Sequence, residues 1–251
     1  YRQRGWWYYR RYDTGQEYPV YARRKASLKA PEQVMLDVPQ LARGHEYYQV
    51  GQRAVSPDNQ VLAYVEDTVG RWQYTLRFKN LATGQTLPDT VENVESSLAW
   101  AADSRTILYV EKDPVTLLGL RVRKHVLGTD PKSDALVYEQ DDPSFYTSVY
   151  TTRDDRYVVI YAESTVSSEM RYADAADPKL DFRVFLPRER DHQYQAQHLD
   201  GRWIIRTNWQ AKNFRVMEAR AGEESDRTKW RELLGHRDDA FVNDFDAFSG
   251  F

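Results

Sequence analysis

The sequence predicts an all-β fold, a β-propeller of four-stranded antiparallel blades. Three observations carry this. Aromatic residues make up 14% of the chain, with 18 Tyr and 7 Trp, and such side chains suit pleated, half-buried surfaces. A strand–Asp turn–strand pattern recurs at a near-constant period. Further strands then follow each hairpin at matching offsets, and four short strands per ~45 residues is how a propeller blade reads.

The repeat starts clearly at "RAVSPDNQVLAYVED" (53–67) and returns as "LAWAADSRTILYVEK" (98–112), "VYTTRDDRYVVIYAE" (149–163) and "AQHLDGRWIIRTN" (196–208). Its turn residues Asp58, Asp103, Asp154 and Asp200 are 45, 51 and 46 positions apart. Third strands follow as "YTLRFKNL" (74–81), "GLRVRKHVL" (119–127), "EMRYADA" (169–175) and "NFRVMEA" (213–219). Fourth strands are "ALVYEQ" (135–140), "FRVFLP" (182–187) and "WRELLG" (230–235), with "TGQTLP" (83–88) a weaker copy. The opening residues fit the frame from its second strand onward: "WWYYRRY" (6–12), "EYPVYARRK" (17–25) and "EQVMLD" (32–37), with Gly15 placed for a tight hairpin. Blades fall at roughly 1–42, 43–93, 94–140, 141–188 and 189–235, and another starts at 236–251. That is about five to five and a half blades. A closed propeller has 4–8 and joins its first to its last, so the seam of the ring is expected to lie in absent sequence and the chain reads as a piece of a longer protein. A β-sandwich has many strands too, but not this four-strand cycle.

Composition and missing motifs exclude several functions. A net charge of −3, with acids interspersed among the arginines, argues against nucleic-acid binding. There are no cysteines, which excludes disulfides and thiolate sites and fits a reducing, cytoplasmic setting. No apolar run approaches the ~20 residues needed to span a bilayer, so no membrane partner is expected. G-x-S-x-G, G-x-G-x-x-G and the P-loop are absent, so the chain shows neither a nucleophile elbow nor a phosphate cradle. The histidines are His45, His125, His192, His198 and His236, and "HEYYQ" (45–49) starts like a zinc-peptidase motif but ends in Gln49. No metal or other cofactor is implied. His192 and His198 could approach each other, and turn or surface positions account for the rest. The neighbouring acids Asp141-Asp142, Asp154-Asp155 and Asp238-Asp239 suit turns better than an acid/base pair, because adjacent strand residues point to opposite faces.

"HRDDAFVNDFD" (236–246) imitates a kinase catalytic loop: His236-Arg237-Asp238, then Asn243, then Asp244-Phe245-Asp246. The context fails, since no glycine-rich loop or strand lysine accompanies it. In the repeat, "GHRDD" (235–239) is a charged connector like "RGHEYY" (43–48), "QDDPSFY" (140–146) and "RERDHQY" (188–194). "AFVNDFDAF" (240–248) then reads as the inner strand of the next blade, with Asp244 and Asp246 on one face, toward the central tunnel. These two are the candidate substrate-binding residues.

"YYRRYDTGQEYPVYARRK" (8–25), "AVSPDNQVLAYVEDTVGRWQYTLRFKNLATGQTLPDTVENV" (54–94), "HVLGTDP" (125–131), "QAKNFRVMEA" (210–219) and "HRDD" (236–239) resemble, in order, the propeller of oligopeptidase B, in the prolyl oligopeptidase family of serine peptidases. The resemblance implies a seven-bladed propeller, of which this chain is part, over an α/β-hydrolase domain whose Ser-Asp-His triad cleaves short peptides after Lys or Arg. It implies that the propeller limits access by size. That hydrolase domain is absent from this chain, so no catalytic residue is carried over and the isolated chain is expected to be inactive. The expected partners are short basic peptides and the hydrolase domain of the same protein, and exposed blade edges favour self-association. The rival reading is a non-enzymatic propeller scaffold that binds proteins, since propellers host many functions.

Overall fold

The computed structural model describes residues 1–248. Every strand pairing in it is antiparallel. The first sheet holds β1 (Arg2–Gln3), β2 (Trp6–Arg11), β3 (Val20–Lys25) and β4 (Glu32–Asp37), in that order. Seven strands follow in one sheet: β5 (Gln49–Val55), β6 (Val61–Asp67), β7 (Tyr74–Asn80), β8 (Thr86–Trp100), β9 (Thr106–Lys112), β10 (Gly119–Val126) and β11 (Ala135–Glu139). A four-stranded sheet of β12 (Tyr146–Thr151), β13 (Tyr157–Glu163), β14 (Ser168–Asp174) and β15 (Arg183–Val184) comes next. The last sheet is β16 (Tyr194–Leu199), β17 (Arg202–Thr207), β18 (Arg215–Arg220) and β19 (Arg231–Leu234). The longest helix, α1 (Val38–Leu41), has one turn and is capped by the Asp37 carboxylate.

The second strands explain the burial pattern. β6, β9, β13 and β17 carry near-continuous apolar runs and are buried along most of their length. Such a run is what a strand covered on both faces requires. Four apolar clusters fill the spaces between successive sheet units. Tyr8 and Leu36 meet Leu62 and Tyr64 in the first. Leu76 and Phe78 meet Trp100 and Ile107 in the second. Leu108 and Val122 meet Val149 and Val158 in the third. In the fourth, Met170, Tyr172 and Phe185 enclose Trp203, which is fully buried.

The turns between first and second strands show why Asp recurs. Asp58 accepts from the Gln60 amide at 3.0 Å, Asp103 from the Arg105 and Thr106 amides at 2.9 and 2.8 Å, and Asp154 from the Arg156 amide at 3.2 Å. The next residue takes positive φ each time: Asn59 at 65°, Ser104 at 58° and Asp155 at 58°. The fourth turn is tighter, with positive φ at both Asp200 and Gly201, as a two-residue hairpin demands.

Four expectations from sequence need correction. The first unit does have a first strand, β1, two residues long and joined to β2 by Arg4 and Gly5 at φ 46° and 79°. "TGQTLP" does not form a separate strand: β8 runs for 15 residues, pairing first with β7 and then with β9. It fuses two units into the seven-stranded sheet, and its register shifts take up the bend. The segment 182–187 contributes only two strand residues, because Phe185 and Leu186 turn into the core. Finally, 240–248 is not a strand. Among the described residues no strand pairs with it. It lies instead along the last sheet, where the Val242 amide donates to Asn213 O at 2.9 Å and Arg206 Nε donates to Val242 O at 2.7 Å.

Candidate functional site

The first strands of all units converge on one cavity of about 510 Å³. Gln3 and Arg4 reach it from the first unit, Gln52–Val55 from β5, and Leu98 and Trp100 from the end of β8. Tyr150–Arg153 and Asp155 come from β12 and its turn, Gln195 and Gln197 from β16, and Asp244–Asp246 from the terminal segment. The residue three before each turn aspartate lines the cavity in every repeat: Val55, Trp100, Thr151 and Gln197.

β1, β5, β12 and β16 lie at sheet edges, and the end of β8 pairs only with β9, so their outward N–H and C=O groups need partners. The preceding unit supplies some of them through side chains. Ser97 Oγ donates to Val149 O at 3.0 Å and accepts from the Val149 amide at 2.6 Å. Ser168 Oγ does the same for Tyr194, at 2.8 and 2.7 Å. The Gln52 side chain bonds Leu98 N and O at 2.7 and 3.2 Å. Trp100 Nε1 donates to Ala54 O at 2.9 Å, and Tyr150 OH to Ala196 O at 2.7 Å. Burial pushes the Tyr150 phenol well above its ordinary range, holding it as a donor. The ring around the cavity is therefore stitched by neutral hydrogen bonds.

The charges in the cavity come in both signs. Arg4 forks onto Asp155, with both contacts at 2.6 Å. Arg153 pairs with Asp246 at 2.6 Å. Arg53 stacks on Tyr21, its guanidinium carbon 3.8 Å from the ring centre, and donates to Gly51 O at 2.5 Å. The Asp244 carboxylate accepts from the Phe245 amide at 2.8 Å and forms no ion pair among the described residues. Nearby, Arg206 lies over Phe214 at 3.7 Å, and burial lowers its pKa.

Both sequence candidates, Asp244 and Asp246, lie on the cavity wall, though not as neighbours on a strand face. The structure does not bring His192 and His198 together. His192 meets Thr207 at 3.0 Å and Arg227 at 2.9 Å, while His198 bonds Asp154 at 2.7 Å from the far end of β16. Burial and Arg227 pull His192 down to about 4. His236, Arg237 and Asp238 lie outside the cavity lining, and Arg237 pairs locally with Asp239 at 2.7 Å. Of the acid pairs, Asp154 serves a turn and Asp155 the cavity. The basic lining residues Arg4, Arg53 and Arg153 escaped the sequence reading. The repeat held part of the signal: the position three before the turn marks the inward face.

Comparison with known proteins agrees with this architecture. The family model for the prolyl oligopeptidase N-terminal beta-propeller domain matches residues 1–251. Dipeptidyl aminopeptidase BI of Pseudoxanthomonas mexicana is 53% identical over all of this chain, which covers 37% of that protein. Protease 2 of Moraxella lacunata is 30% identical over 84% of the chain and 31% of its own length. The chain thus spans about a third of the curated relatives it matches. Oligopeptidase B from Trypanosoma brucei, in a closed form with covalently bound antipain, superposes with a TM-score of 0.85 at 26% identity, covering 97% of this chain and 35% of that one. With sheet units, converging inner strands and a family match along its whole length, the chain belongs to the prolyl oligopeptidase family, as its N-terminal β-propeller domain.

Proposed function

We propose that this propeller gates substrate for a serine oligopeptidase that cleaves short peptides after Lys or Arg. The nucleophile and its partners belong to the α/β-hydrolase domain of the same protein, and this chain contributes no triad residue. The observation that carries the reading is the cavity where all first strands meet, whose volume of about 510 Å³ is far too small to hold a folded domain. Asp244 and Asp246 are the proposed contacts to a basic side chain. Asp246 is already held by Arg153, so a substrate cation competes there, whereas Asp244 has a backbone contact and only the longer-range attraction of Arg206. The charge balance is mixed, so steering by the cavity as a whole is weak and local contacts dominate.

The test uses the full-length protein and a series of arginyl peptides of rising length. The expected result is kcat/KM falling steeply beyond a threshold length, with Asp244→Asn raising KM for Lys and Arg substrates over neutral ones. Equal rates on short peptides and unfolded proteins would refute gating. No peptidase activity at all would favour a protein-binding scaffold.

A second reading concerns the products. The 53% identity to a protein named dipeptidyl aminopeptidase BI favours release of dipeptides from a free N-terminus. Mass spectrometry of digests separates the two, because N-terminal acetylation blocks dipeptide release and leaves internal cleavage intact.

A further inference from the structure

The cavity has one end crowded by turns. In antiparallel sheets of this order, each turn from first to second strand lies on the same side. Arg4–Gly5, Asp58–Asn59, Asp103–Ser104, Asp154–Asp155 and Asp200–Gly201 therefore ring one mouth. The Ser97, Ser168 and Gln52 contacts each join a unit to the next. Arg4 does not. From the tip of the first turn its NH1 donates to Val55 O at 2.9 Å and Ser56 O at 3.0 Å in the second unit. Its Nε and NH2 then fork onto both oxygens of Asp155, at 2.6 Å each, in a turn 151 residues away. Gln3 Nε2 approaches the same carboxylate at 3.5 Å. One side chain thus spans from the first unit past the second and third to the fourth.

The geometry points to Arg4 and Asp155 as a bar across this mouth that sets the largest peptide able to thread the cavity. The inference rests on the gating reading above. A two-pronged guanidinium–carboxylate bond is the stronger, more directional kind of ion pair. Its side chains are 17% and 27% exposed, so water can solvate the separated groups and the bar is one that can open. The neighbouring Arg153–Asp246 pair is more exposed, at 44% and 65%, and forms a looser flank. Asp155 sits at φ 58°, a conformation Asn also tolerates, so Asp155→Asn removes the charge without disturbing the turn.

The experiment compares full-length wild type, Arg4→Gln, Asp155→Asn and the double variant. Hydrogen exchange at residues 4–8 and 152–157 reads the bar. The ratio of hydrolysis of a long to a short arginyl peptide reads the threading limit. Each single variant is expected to speed exchange at both tips about fivefold, the change that ~1 kcal/mol of lost pairing gives at 1.4 kcal/mol per decade. Each should also raise the long-to-short ratio, and the double variant should add nothing to either single. A wild type that discriminates by length, with variants that discriminate equally, overturns the bar and leaves gating standing. A wild type that shows no length discrimination overturns the gating reading itself. Additive effects in the double variant overturn the pairing.

Discussion

Replacing Ser97 with alanine tests how the units are held together. Ser97 Oγ both donates to and accepts from the backbone of Val149, at 3.0 and 2.6 Å, and the two residues are 7% and 2% exposed. Alanine removes both bonds and leaves a buried N–H and C=O facing a methyl group too small to admit water easily. Two hydrogen bonds at a net ~1 kcal/mol each, plus the penalty of stranding their partners, give a loss of about 2–4 kcal/mol. At 1.4 kcal/mol per decade, a loss of ~3 kcal/mol speeds exchange of the Val149 amide by about two orders of magnitude. The same loss lowers the urea midpoint by about 1 M for a slope of 2–3 kcal/mol/M. The assay is native-state hydrogen exchange read at Val149, with Val158 on the adjacent β13 as the internal control, together with a urea titration. Ser168→Ala should behave alike, because Ser168 makes the same pair of bonds to Tyr194. A loss below about 0.5 kcal/mol at either serine would refute the claim that these side chains satisfy the strand edges.

Three further outcomes are expected. His192 is held at about 4 in the fold against about 6.5 unfolded, so the unfolded state binds more protons between these values. Stability therefore falls as pH drops through that window, by at most about 1.4 kcal/mol per pH unit, and His192→Gln should flatten this part of the pH–stability curve. Gly51→Ala should destabilise by about 1–3 kcal/mol through overpacking, since an added Cβ would lie 2.4 Å from Ser96 Oγ and 2.7 Å from Val65 Cγ2; thermal melting measures it. Trp203→Ala, at a fully buried site ringed by Tyr157, Tyr172 and Phe185, should cost about 3–5 kcal/mol, read as a lower urea midpoint.

Much of the fold is legible because the propeller repeats a local grammar. An Asp that caps its own turn is a short-range device, and so is the apolar run of a strand covered on both faces. Both can be read from a window of fifteen residues; the buried second strand recurs four times, and the Asp cap is seen at Asp58, Asp103 and Asp154. The misreadings fall where a distant contact decides. "WWYYRRY" shows its strand, but β1 exists only because Arg2 and Gln3 pair back onto Trp7 and Trp6. β8 has residues that suit two short strands, yet it runs through because β7 and β9 take up successive parts of it. "AFVNDFDAF" alternates like a strand but has no neighbour to pair with among the described residues.

The candidate site follows the same division. The sequence by itself determined that the chain is a run of four-stranded blades with Asp-containing turns, and it singled out Asp244 and Asp246 as candidate cavity carboxylates. Only the tertiary structure decided which charges meet. Arg4 and Asp155 lie 151 residues apart, and Arg153 and Asp246 93 apart. Nothing in the local sequence of either member specifies the other. Strand pairing and turn capping act over a few residues, so they leave a periodic trace. Ion pairs across a cavity depend on how far the ring of sheets has curved, and that curvature is set by side-chain packing between units.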